Sequence, residues 1–150
     1  MRNLPTVLLV DDDPKDILLF RNAVEERPLE VQVQAVRDGY DAIEYLKGDG
    51  AFGNRAEYPL PGIVILDLHM PRVGGLAVLR WIRNQPSLEG LPVVVFTGSD
   101  YLCSVTEAME SGADTYVVKD EDTNRLIDLL QHMDLGWNQR SQSPGVSAKA

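Results

Sequence analysis

The chain has 150 residues, a length that fits one domain and lets roughly two-thirds of the unfolded surface be buried. Its formal net charge of −9 argues against non-specific nucleic-acid binding, which needs clustered Lys and Arg, and leaves a cation or a basic partner surface as the matching charge. One cysteine, Cys103, rules out an internal disulfide and is expected to pack as a small hydrophobe; with no apolar run of membrane-span length and no secretory leader, a cytoplasmic protein without a membrane partner is the expectation.

Taken in order, short apolar runs alternate with helical periodicity. Val7-Leu8-Leu9-Val10 reads as a strand buried on both faces. Asp13 then reads as a helix N-cap with Pro14 at the first helical position, and Ile17, Phe20 and Val24 supply one apolar face until Pro28 ends the helix. Val31, Val33 and Ala35 alternate with Gln32 and Gln34, as in a half-exposed strand. Gly39 opens a second helix carrying Ala42, Ile43 and Leu46. Residues 48–61 are rich in Gly and Pro and read as a flexible loop.

Ile63-Val64-Ile65-Leu66 is the third strand and stops at Asp67. After Pro71 and Gly74-Gly75, Leu76, Leu79 and Ile82 or Arg83 mark a third helix, on which Trp81 is expected to pack. Val93-Val94-Val95-Phe96 is a strand stopping at Thr97. A fourth helix runs from about Leu102 to Ser111 and ends at Gly112, a natural C-cap residue. Tyr116-Val117-Val118 is a fifth strand ending at Lys119, and Leu126, Ile127, Leu129 and Leu130 face a last helix. Residues 1–135 thus form one domain, and residues 136–150, poor in apolar side chains, read as a disordered tail. Strands alternating with helices specify an α/β fold on a parallel sheet, where ligands bind beyond the carboxyl ends of the strands.

Those ends carry the chemistry. Asp11 and Asp12, Asp67, Thr97 and Lys119 each follow an apolar run directly, so a parallel sheet gathers them on one edge. Carboxylates brought together repel unless a cation intervenes, and Mg²⁺ takes oxygen ligands. Such a set suits phosphoryl transfer to a carboxylate, with Asp67 as nucleophile, the Thr97 hydroxyl donating to a phosphoryl oxygen and Lys119 neutralising another. Any one of these residues alone would more often be a turn former or cap, and Asp13 is read as such a cap. A Gly-x-Gly-x-x-Gly match at residues 48–53 follows a helix and opens none, so it is not read as a nucleotide fingerprint.

The segments Val10-Asp11-Asp12, Asp67 with Met70-Pro71, Thr97-Gly98-Ser99 and Tyr116-Val117-Val118-Lys119 together resemble bacterial response-regulator receiver domains over residues 5–133. The resemblance implies a flavodoxin-like, doubly wound five-stranded sheet in order 2-1-3-4-5 with five helices. It implies a two-component signalling protein in which Asp67 takes phosphate from a sensor histidine kinase or a histidine phosphotransfer protein. Asp12 would bind Mg²⁺ directly, Asp11 would assist, and the His69 backbone carbonyl would complete the protein ligands together with Asp67. In a run of three aspartates, Asp13 is the alternative to Asp11. Thr97 and Tyr116 would form the switch pair, and the fourth helix, fifth strand and fifth helix would carry the response, with homodimerisation through that face. Beyond self-phosphorylation and slow self-dephosphorylation no enzyme activity is implied.

Three departures stand out. Asp120 occupies the place of the usual proline after Lys119, where a cis peptide would cost about 3–4 kcal/mol. Gly74-Gly75 replaces the more usual Asp-Gly, which implies a more flexible loop after the third strand. The long segment 48–61 looks like the single-domain regulators that partner bacterial phytochromes. Two other classes stay open: a phosphatase of the haloacid-dehalogenase type, which would need an acid where His69 stands, and an inactive docking pseudo-receiver.

Overall fold

The computed structural model describes residues 4–27, 29–98, 102–119 and 123–137. Five parallel strands form one sheet in the order β2-β1-β3-β4-β5. They are β1 (Thr6–Val10), β2 (Gln32–Val36), β3 (Ile63–Leu66), β4 (Val93–Thr97) and β5 (Thr115–Val118). Between and after them come α1 (Pro14–Glu26), α2 (Gly39–Lys47), α3 (Gly75–Arg83), α4 (Leu102–Glu110) and α5 (Thr123–His132). This is the flavodoxin-like, doubly wound arrangement expected from the sequence.

Strand pleating sorts the core into two layers. Leu8, Val10, Val64, Leu66, Val93 and Val95 face α2 and α3, meeting Tyr45, Leu46, Val78, Leu79 and Ile82. Val7, Leu9, Ile63, Ile65, Val94 and Phe96 face α1 and α5, meeting Phe20, Val24, Leu126 and Ile127. Both faces of β1, β3 and β4 are covered, which explains their unbroken apolar runs. β2 is an edge strand, so its alternating Gln and apolar residues are only partly buried.

Local chemistry sets the helix ends. The Asp13 carboxylate accepts from the Lys15 N–H at the start of α1, and Asp38 does the same for Asp41 in α2. Gly48 closes α2 in the left-handed conformation at φ 74°.

Four expectations need correction. Residues 48–61 are packed, not loose: Phe52 and Tyr58 close on Tyr45, whose hydroxyl donates to the Pro59 carbonyl at 2.7 Å. Arg55 donates to the carbonyls of Tyr45 and Leu46 in the last turn of α2, and to that of Tyr58. Gly136 and Trp137 were assigned to the tail, but Trp137 is buried with the α2–α3 layer and its indole N–H donates to the Glu89 carbonyl at 2.9 Å. Cys103 is exposed, because Val105 and Ala108 fix the buried side of α4 and turn the thiol outward. Gly74 takes an ordinary backbone conformation, and the crowded member of the glycine pair is Gly75. The rest of the proposed tail, Pro28 and the Lys119–Asp120 peptide lie outside the described residues. No helix among the described residues is long and apolar enough to cross a membrane.

Candidate functional site

Sheet hydrogen bonds carry the strand ends directly into the site. The Asp11 N–H donates to Val36, the Asp67 N–H to Val10 and the Lys119 N–H to Thr97, at 2.8–3.0 Å. In this register Asp11, Asp67, Thr97 and Lys119 emerge side by side from β1, β3, β4 and β5. Asp11, Asp67 and Thr97 are buried.

Asp11, Asp12 and Asp67 each present a carboxylate oxygen within 4.8 Å of the others. Asp13 does not join them: its carboxylate caps α1, while its N–H donates to Asp11 Oδ1 at 3.0 Å. Of the two alternatives, Asp11 is the one whose carboxylate lies with those of Asp12 and Asp67. Asp67 Oδ1 accepts the His69 N–H at 3.1 Å, which holds this carboxylate in place.

Lys119 Nζ lies 2.8 Å from Asp11 Oδ2, 2.9 Å from Asp16 Oδ2 and 3.0 Å from Asp67 Oδ2. Burial pulls the ammonium toward its neutral form, but its contacts to the accepting Asp11 and Asp16 carboxylates and the charge of Asp67 outweigh it and raise its pKa. Burial pushes Asp11 up to about 6 despite Lys119, and it raises Asp67 as well, with the Asp12 charge adding to the effect. Three crowded carboxylates with one ammonium leave an excess of negative charge, the condition a divalent cation relieves.

The cluster opens onto a cleft of about 450 Å³ lined by Asp12, Asp16, Asp67, His69, Gly98 and Lys119. The Thr97 hydroxyl is fully buried and has no hydrogen-bond partner among the described residues. Tyr116 sits elsewhere: the residue is 45% exposed and lines a groove with Val105, Thr106, Met109 and Glu110 of α4.

Three contributors escaped the sequence reading. Asp16 stands three residues after the N-cap Asp13, a spacing that suggests a capping box, yet it reaches Lys119. Arg37 donates to the Asp12 carbonyl at 3.2 Å, tying the start of the β2–α2 connection to the cluster. Arg72, at φ 63°, pairs with the α2 cap Asp38 and lies over the Tyr40 ring, fastening the loop after Asp67 to α2. A left-handed arginine gave no sign of itself in the sequence.

A crossover sheet in this order, ending in an acidic cluster under a lysine, defines the class of phosphoacceptor switch domains. A sequence profile described as "Response regulator receiver domain" matches residues 7–131. The chain belongs to the response regulator receiver domain family.

A relative of similar length, the probable methanogenesis regulatory protein FilR2 of Methanothrix harundinacea, is 32% identical over 142 residues, covering 93% of this chain and 87% of its own. Among solved structures, the bacteriophytochrome response regulator RtBRR is 36% identical with a TM-score of 0.75, covering 86% of this chain and 77% of that one. The Mn²⁺-bound form of response regulator Rcp1 is 27% identical with a TM-score of 0.72, covering 90% and 95%.

Proposed function

We propose that this protein is a signalling switch in which Asp67 accepts a phosphoryl group from phosphohistidine, with Mg²⁺ held by Asp11, Asp12, Asp67 and the His69 carbonyl. The observation that carries the reading is the convergence of Lys119 on Asp67 beside the Thr97 hydroxyl, which has no partner among the described residues. The cation site fits as well, since the carboxylate oxygens of Asp11, Asp12 and Asp67 are close enough to share one ion.

In the reaction, an Asp67 carboxylate oxygen attacks phosphorus, a P–O bond forms and the donor's P–N bond breaks. The electron pair of that bond returns to the imidazole. The Lys119 ammonium pairs with one phosphoryl oxygen and the Thr97 hydroxyl donates a hydrogen bond to another. A bound Mg²⁺ supplies charge neutralisation at the phosphoryl oxygens.

Occupation of Thr97 then frees space into which Tyr116 turns, changing the surface of α4, β5 and α5. The half-exposed Tyr116 and its groove along α4 support this surface as the output and homodimer face. The likeness to RtBRR supports a phytochrome-type histidine kinase as the donor, and a cytoplasmic location goes with that reading. A haloacid-dehalogenase-type phosphatase would need an acidic group where His69 stands.

The test is incorporation of phosphate from acetyl phosphate by the parent and by Asp67→Asn, with and without Mg²⁺. The parent incorporates base-labile phosphate only with Mg²⁺, Asp67→Asn incorporates none, and no phosphomonoester is turned over. Labelling that persists in Asp67→Asn rejects the acceptor assignment.

A further inference from the structure

Lys119 faces three carboxylates from separate elements: its ammonium donates to Asp67 after β3 and to Asp16 in the first turn of α1, and it forms an ion pair with Asp11 after β1 at 2.8 Å. Two of these partners have competing duties. Asp67 takes the phosphoryl group, and Asp11 belongs to the carboxylate cluster that suits a cation. Asp16 lies outside that cluster. It is also released from local duty. In a capping box, Asp16 would reach back to the Asp13 N–H, but Asp11 Oδ1 already accepts that N–H at 3.0 Å.

Resting on the phosphoacceptor reading, we infer that Asp16 is a positioning residue that anchors Lys119 over the cleft when Asp67 is esterified and Asp11 is engaged by the cation. Once phosphate is attached, Asp67 has lost the charge that held the ammonium. The donor formerly on Asp67 turns to a phosphoryl oxygen. A lysine side chain is long and flexible, so with Asp11 weakened it would otherwise sample many rotamers. Asp16 holds it from the α1 side through a charge-assisted hydrogen bond at 2.9 Å. Its own side chain remains 24% exposed at the cleft wall, free of the metal cluster, so the restraint persists through the reaction.

The experiment uses the full chain with acetyl phosphate and titrated Mg²⁺, comparing the parent, Asp16→Ala, Asp16→Glu and Asp67→Asn. Asp16→Ala lowers the rate at saturating Mg²⁺ and donor about tenfold, the loss of one hydrogen bond to a charged group. It leaves the half-saturating Mg²⁺ concentration unchanged, and Asp16→Glu restores most of the rate. A second readout needs no metal: in urea unfolding of the metal-free protein, Asp16→Ala and Lys119→Met are non-additive, the double variant losing less than the two singles together. A parental saturating rate in Asp16→Ala overturns the inference. So does a change confined to the Mg²⁺ dependence, which would make Asp16 part of the cation site, or additivity in the urea cycle. Failure of the parent to label would instead reject the phosphoacceptor reading.

Discussion

Gly75 and Gly74 are adjacent, yet substitution should affect them in opposite ways. A Cβ on Gly75 would sit 2.1 Å from the Asp67 carbonyl oxygen and 2.8 Å from the Leu68 Cα, both backbone atoms that cannot rotate away. Relief requires the start of α3 to move off the loop that follows the acceptor, which also strains the Gly75 N–H to Leu68 carbonyl bond of 3.2 Å. Overpacking of this kind costs about 1–3 kcal/mol and a lost backbone hydrogen bond about 1 kcal/mol, against a helix-propensity gain of up to about 1 kcal/mol. Gly75→Ala should therefore lose about 2–3 kcal/mol. On Gly74, the helix N-cap, the nearest atom to an added Cβ is 3.6 Å away and φ is −77°, so a side chain fits. Gly74→Ser supplies the missing cap and should be neutral or more stable by a few tenths of a kcal/mol, about the Gly-to-Ser difference at this position. Urea unfolding of both metal-free variants, read by circular dichroism, gives the comparison. Labelling from acetyl phosphate should also fall in Gly75→Ala, because the displaced carbonyl belongs to Asp67. A Gly75→Ala midpoint equal to or above the parent's would refute the crowding argument.

Trp137→Ala should cost about 3–5 kcal/mol, the usual loss for a buried indole, and a chain ending at Leu135 should lose a similar amount; equal thermal midpoints for the full and shortened chains would remove Trp137 from the folded unit. Asp38→Asn keeps the cap on α2 but removes the charge facing Arg72, for a loss of about 0.5–1 kcal/mol at neutral pH. Burial opposes the charge on Asp38, but the Asp41 N–H and Arg72 hold its pKa below the usual 3.8. Its folded value thus lies under its unfolded one, so the contribution is complete above about pH 4 and disappears as pH falls through the folded value. The stability gap between parent and Asp38→Asn should close in acid; a gap that widens below pH 4 would contradict the sign.

Much of this arrangement could be read from the chain because each strand end is marked twice. An unbroken apolar run fixes the strand, and the polar residue that stops it marks the edge where ligands bind, as at Leu66-Asp67 and Phe96-Thr97. Asp16 was hidden by a local alternative: a carboxylate three residues past an N-cap has an obvious neighbour, whereas its actual partner is 103 residues away. In residues 48–61 the Gly and Pro content masked the spacing of Tyr45, Phe52 and Tyr58, whose rings meet only after Arg55 folds the segment back on α2. Trp137 stands among polar residues, and its burial depends on a surface near Gly90 that no nearby sequence signals.

The outward-facing thiol near the start of α4 has a practical use. Cys103 is the sole cysteine in the sequence, so a maleimide fluorophore or a nitroxide couples at one defined position in the native protein, with nothing to delete or insert. Spectroscopy from that natural handle would show whether and how quickly α4 responds when phosphate is supplied, with no substitution in the chain.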